Sequence, residues 1–187
     1  MDKRFTYRAH LRTHVPAYLL LALTGSAVAQ VQVSTEAEYN AELAVGGYFQ
    51  ITGPGFDITA MPVAAPAGST LFISGNNGFG NPRPVLNGRG GNYHAYTTGG
   101  AGSELGFISG IDIENFGNVA LMLADSTHYI TLGSMRFANN INSSSAYSGG
   151  AIVAGSLTRV SDTVFTGNRV STPGGNGGAI ATSGNAV

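Results

Sequence analysis

The 187-residue chain carries 28 glycines, only 10% charged residues and no cysteine or tryptophan, yet 43% of it is hydrophobic. That is enough apolar material for a packed core and excludes a disordered tail, while the lack of cysteine excludes a disulfide scaffold and any thiolate-bound zinc or iron–sulfur centre. Lys3, Arg4, Arg8 and Arg12 lie in the first 29 residues; beyond them five arginines face nine carboxylates, a net charge of −4, with no basic stripe to neutralise a phosphate backbone. Nucleic acid is not an expected partner.

The four basic residues precede an apolar run from Val15 to Leu23 and then Ala27-Val28-Ala29. A basic segment, a short apolar segment and an Ala-x-Ala site in that order form an export signal, whereas a membrane-spanning helix needs about 20 apolar residues. Residues 1–29 are therefore expected to be a signal peptide read by the Sec export machinery and cleaved after Ala29. Residues 30–45 follow as an N-terminal cap. Thr35 and Glu38 have capping-box spacing, which predicts a short helix whose Ala37, Ala41 and Leu43 side covers the open first rung of a coil.

From residue 46 onward, apolar strings of three to five residues alternate with Gly, Pro and Asn clusters: Tyr48–Ile51, Thr70–Ile73, Pro84–Leu86, Leu105–Ile108, Ile111–Ile113, Val119–Leu123 and Tyr129–Leu132. They predict short strands separated by turns, and no helical periodicity follows the cap. An internal repeat decides how the strands are assembled. Met135 to Asn140 leads to Gly149-Gly150-Ala151-Ile152, and Thr163 to Asn168 leads to Gly177-Gly178-Ala179-Ile180, with 28 positions from Phe137 to Phe165 and from Gly149 to Gly177. A weaker copy around Ile113 sits 24 positions before Phe137. Units this small cannot bury an apolar face alone and must stack. The expected fold is all-β, a right-handed single-stranded parallel β-helix over residues 46–187. Ile113, Phe137 and Phe165 should stack inward about 4.8 Å apart. The flanking asparagines should turn the chain, and the paired glycines should let the next strand enter without Cβ clashes. Asp112 and Arg136 should lie side by side on the surface as an ion pair of little energetic weight.

The paired GGAI motifs, each preceded by Phe-x-x-Asn (Phe137 to Asn140, Phe165 to Asn168), resemble the polymorphic outer-membrane protein repeats of bacterial autotransporter passengers. The resemblance covers residues 130–187, and more loosely the pectin-lyase-like β-helix class from residue 46. It implies structural roles for Phe137, Asn140, Gly149, Gly150, Ala151, Ile152, Phe165, Asn168, Gly177, Gly178, Ala179 and Ile180. It also implies display at the outer membrane or secretion, with adhesion to an extracellular protein or polysaccharide. In that family a separate C-terminal β-barrel provides the membrane anchor. No barrel strands occur here, and Asn185-Ala186-Val187 follows a GGAI strand without a polar closing element, so the chain is expected to be truncated at its C-terminus.

The competing reading is the N-terminal part of a β-helix polysaccharide lyase or glycoside hydrolase. Such chemistry needs paired or clustered carboxylates, and Asp112 with Glu114 is the only close pair beyond the helix, on one face of a strand. Asp112 and Glu114 could contact a cation or sugar, and Tyr93, His94 and Tyr96 could form an aromatic platform on the loop between Leu86 and Leu105. Solvated charges and a self-packed loop are the plainer readings. His94 and His128 read as exposed loop histidines. The glycine runs 99–102 and 174–178 lack the Lys-Ser/Thr of a phosphate loop, so no cofactor and no metal is expected. No residue is assigned a catalytic role, and an interaction module is favoured over an enzyme.

Overall fold

The computed structural model describes residues 30–75, 82–97, 104–123, 131–144, 149–155, 159–173 and 178–182. The segment assigned to export, His128, and Gly177 of the second GGAI motif lie outside them. The described chain is a parallel β-solenoid of about four turns with one short helix near its N-terminus. The strands are β1 (Val31–Val33), β2 (Gly47–Ile51), β3 (Gly55–Asp57), β4 (Thr70–Gly75), β5 (Val85–Asn87), β6 (Tyr96–Thr97), β7 (Glu104–Ser109), β8 (Asp112–Glu114) and β9 (Leu121–Leu123). They continue with β10 (Thr131–Gly133), β11 (Arg136–Ala138), β12 (Ile141–Asn142), β13 (Ile152–Ala154), β14 (Arg159–Ser161), β15 (Val164–Thr166), β16 (Arg169–Val170) and β17 (Ile180–Thr182).

Three walls enclose the core. The first wall orders β1-β2-β4-β7-β10-β14, the second β15-β11-β8-β5-β3, and the third β17-β13-β9-β6, while β12 and β16 pair at a corner. Every pairing is parallel and between successive turns. The repeat read from sequence is the rung register: Phe137 pairs with Phe165 and with Ile113, and Ile152 pairs with Ile180. Phe137 and Phe165 stack with ring centroids 5.1 Å apart and planes 7° apart. Burying such a column stabilises the coil by about 1.5–3 kcal/mol per large side chain.

Two corners are turned by left-handed residues in register. Asn115, Asn139 and Gly167 have φ of 59°, 55° and 65°, and Gly110, Ser134 and Asp162 have 67°, 52° and 49°. Asn115 and Asn139 thus turn the chain as expected, because asparagine tolerates this region. Asn140 and Asn168 instead point inward and bond the rungs together. The glycine pair is required by space: a Cβ on Gly149 would lie 2.0 Å from the Ile152 carbonyl oxygen, and one on Gly150 2.3 Å from that of Gly178.

Helix α1 (Glu36–Val45) starts at Thr35 with the anticipated capping box, Glu38 N–H donating to Thr35 Oγ1 and the Glu38 carboxylate accepting from Thr35 N–H. Its buried face differs from the expectation. Leu43 is buried, but Ala37 and Ala41 are exposed, and Tyr39 takes their place, four residues before Leu43 on the same stripe. The large ring fills the end of the coil better than two methyl groups, packing against Phe49 and Phe56 and donating its hydroxyl to the Ala95 carbonyl at 2.9 Å. Glu36 accepts from Thr59 and Ala60, and Asn40 from Val63, which fastens the segment after β3 onto the helix.

Candidate functional site

A β-solenoid exposes its functional groups as columns, because each outward residue sits beside its counterpart one rung away. On the second wall the outward columns carry charge. Arg136 bridges both members of the close carboxylate pair, with Nε 2.8 Å from Asp112 Oδ2 and Nη2 2.9 Å from Glu114 Oε2. Arg83 stands 3.5 Å from the other Asp112 oxygen, which has no hydrogen bond among the described residues, and donates to the Ser134 carbonyl. The Asp112 side chain is only 15% exposed. Asp112 and Arg136 are neighbours as anticipated, but within a partly buried four-membered network. The Asp112 bond raises the Arg136 pKa further and keeps its guanidinium charged. Both carboxylates of the pair are engaged by cations of the chain itself.

The loop aromatics face the coil. Tyr96 is fully buried and belongs to β6, a short strand where a loop is expected from the sequence. Tyr93 packs edge-on against Phe116 at 6.3 Å, and His94 is 8% exposed. His94 is therefore not the exposed histidine expected from sequence. Its Nδ1 donates to the Val119 carbonyl, which fixes the tautomer, and burial lowers its pKa. Burial raises the pKa of the Tyr96 hydroxyl, which has no hydrogen-bond partner among the described residues. Asn142, which opens a formal glycosylation sequon, is fully buried and donates to the Gly149 carbonyl. Among the described residues no group of three or more His, Asp or Glu is placed to hold a metal.

The strings expected as strands from the sequence supply most of the first wall, but the sequence does not show that their outward residues share columns. The register of the wall aligns Tyr48, Phe72, Phe107, Thr131 and Arg159 in one outward column on successive rungs. A parallel column two residues further along holds Gln50, Ser74, Ser109, Gly133 and Ser161. Tyr48 is 51% and Phe72 42% exposed, unusual for aromatic side chains on a sheet. The Tyr48 hydroxyl accepts from Gln30 Nε2 at 2.8 Å and lies 3.2 Å from Ser74 Oγ. Between β4 and β7 the register shifts at Gly106, a bulge, where a Cβ would press to 3.1 Å from the Phe72 ring.

Beyond Phe107 the wall opens into a trough of about 560 Å³. Gly75, Gly110 and Gly133 leave backbone bare there, Ser109, Ser134, Ser161 and Thr131 supply hydroxyls, and Arg159 stands exposed at the far end. The signal was present in the strings Tyr48-Phe49, Phe72-Ile73 and Phe107-Ile108, each an aromatic before an inward residue. Only the register shows that the three aromatics share a column. No protein-family model, curated protein or solved structure gives a significant match to the chain.

Proposed function

We propose that this chain is an exported interaction module, displayed at the surface of a bacterium with an outer membrane or secreted, and that it binds an extended ligand along a lateral wall of the solenoid. The observation that carries the reading is the first wall, where two outward columns, uncharged until Arg159 on the last rung, run for several rungs and end in a solvent-open trough. A rigid array of repeated side chains suits a partner that is itself extended, since matching groups recur at the rung spacing of about 4.8 Å.

The motif residues support the likeness to polymorphic outer-membrane protein repeats, because each has a structural duty in successive rungs: Phe137 and Phe165 in the core stack, Asn140 and Asn168 between rungs, Gly149 and Gly150 at close backbone approach. Export rests on the order of basic, apolar and Ala-x-Ala segments in residues 1–29. The engagement of Asp112 and Glu114 by Arg136 favours binding over hydrolysis or elimination at that pair.

Two measurements test the reading. Residues 1–29 fused to a phosphatase that is active only outside the cytoplasm should give activity, abolished when the apolar run is interrupted by charge. The full chain should be retained saturably on an immobilised extracellular matrix glycoprotein or bacterial polysaccharide. A reporter inactive with the intact segment would remove export, and absence of retention on every surface would remove the interaction role.

A further inference from the structure

From the outward column of the first wall we infer a binding site for a neutral linear oligosaccharide, lying along Tyr48, Phe72 and Phe107 and entering the trough that ends at Arg159. The inference rests on the interaction reading above and names its ligand class. The three aromatics follow one another at about 4.8 Å per rung, so the line from Tyr48 to Phe107 is about 10 Å long. Aromatic faces carry negative quadrupole density, which attracts the polarised C–H groups on the flat side of a pyranose ring.

The second column supplies what the edge of the same sugar requires. Ser109 and Ser161 are half-buried, face the trough, and have no hydrogen-bond partner for their hydroxyls among the described residues. Gln50 and Ser74 continue that column beside Tyr48 and Phe72. A ligand with an apolar side and hydroxyls along its edge matches an aromatic column flanked by a hydroxyl and amide column. Gly133 lies between Ser109 and Ser161 in that column, where a Cβ would sit in ordinary contact with both, 3.7 Å from Ser161 Oγ and 3.8 Å from Ser109 Cβ.

Other occupants fit less well. A stable protein interface needs roughly 1,000 Å² of complementary surface with an apolar centre, whereas the apolar strip here is one residue wide and bordered by hydroxyls. Nucleic acid or an anionic lipid surface calls for several cations, and among the described residues Arg159 is the only one lining the trough. Gly106 is a positioning residue: the bulge leaves room for the Phe72 ring, and a larger residue there would displace it.

The full chain is titrated by calorimetry with cellohexaose, xylohexaose, laminarihexaose and chitohexaose, with hexagalacturonate as the charged comparison. At least one neutral hexamer should bind saturably. Phe72→Ala and Phe107→Ala should each weaken binding about tenfold or more, with circular dichroism unchanged, while Phe72→Tyr retains it. Failure of all four neutral hexamers, binding of hexagalacturonate alone, affinity unchanged in both alanine variants, or self-association of the wild type that Phe72→Ala abolishes would each overturn the inference. If the hexamers fail while retention on matrix or polysaccharide surfaces persists in Phe72→Ala, only this ligand class is removed. Loss of all retention in the wild type would remove the interaction reading as well.

Discussion

The side chains of Asn140 and Asn168 occupy the same inward corner of consecutive rungs, and Asn168 Oδ1 accepts both the Asn140 side-chain amide at 2.8 Å and the Asn140 backbone N–H at 3.1 Å. The pattern repeats. Asn140 Oδ1 accepts from Phe116 N–H, while the Asn140 and Asn168 amides donate to the carbonyls of Ile113 and Phe137. Each asparagine thus accepts a backbone N–H of the preceding rung with its oxygen and donates to a carbonyl of that same rung with its nitrogen, tying successive corners together.

Asn140 is fully buried, so Asn140→Ala leaves Phe116 N–H without its acceptor and removes the side-chain amide that donates to the Ile113 carbonyl. A loss of about 2–4 kcal/mol is expected in chemical unfolding. Asn140→Asp should be no better, because a carboxylate has no N–H for Ile113 and brings an oxygen against Asn168 Oδ1. An Asn140→Asp variant as stable as the wild type would show that the ladder is not held by its donors.

Gly150 presents the sharper steric case. The Cβ of Gly150→Ala would lie 2.3 Å from the Gly178 carbonyl oxygen and 2.7 Å from the Arg169 backbone nitrogen, both parts of the next rung. Backbone cannot yield as a flexible side chain can, so a loss of about 3 kcal/mol or more is expected, concentrated in the last two rungs. Hydrogen exchange should show early opening of β13 and β17 in this variant, with β2 and β4 unaffected.

Arg136→Ala exposes Asp112 and Glu114 to each other without their shared cation. The network is partly open to solvent, with Arg136 37% exposed, so the expected cost is about 1–2 kcal/mol. A double-mutant cycle with Glu114→Gln should give a coupling energy that shrinks as salt is raised, whereas a salt-independent value would point to packing by the arginine stem.

Titration brackets the stable range from both sides. His94 is held below its ordinary 6.5 by burial, so the unfolded chain binds the proton more readily. Its contribution is fully present above about 6.5 and is lost as the pH falls towards the lowered folded value. Tyr39 and Tyr96 are raised by burial from 10.0, and their contribution is complete below about 10 and lost as the pH climbs beyond it. Melting temperatures measured from pH 4 to pH 11 should decline at both ends. His94→Gln should flatten the acid limb, and Tyr39→Phe the alkaline limb, although the latter also loses the Ala95 hydrogen bond, worth about 1 kcal/mol.

The sequence alone determined the solenoid and much of its grammar. The 28-position spacing of Phe137 to Phe165 and Gly149 to Gly177 sets rung length, the capping box sets the helix start, and the pairing of Asp112 with Arg136 follows from the 24-position offset of the weaker copy around Ile113. These are legible because a repeat writes one rung's contacts again at a constant distance along the chain. Tertiary structure alone decided where irregular rungs fall. Phe72 and Phe107 stand 35 positions apart across a bulge, so no constant offset carries the first-wall column across that rung. The burial of His94 and Tyr96 is likewise a property of the short strand β6 closing the third wall, and Tyr39 rather than Ala37 covers the coil end because the space there fits a ring. Periodicity travels through sequence; the facing of a side chain outside the period depends on which rung it meets.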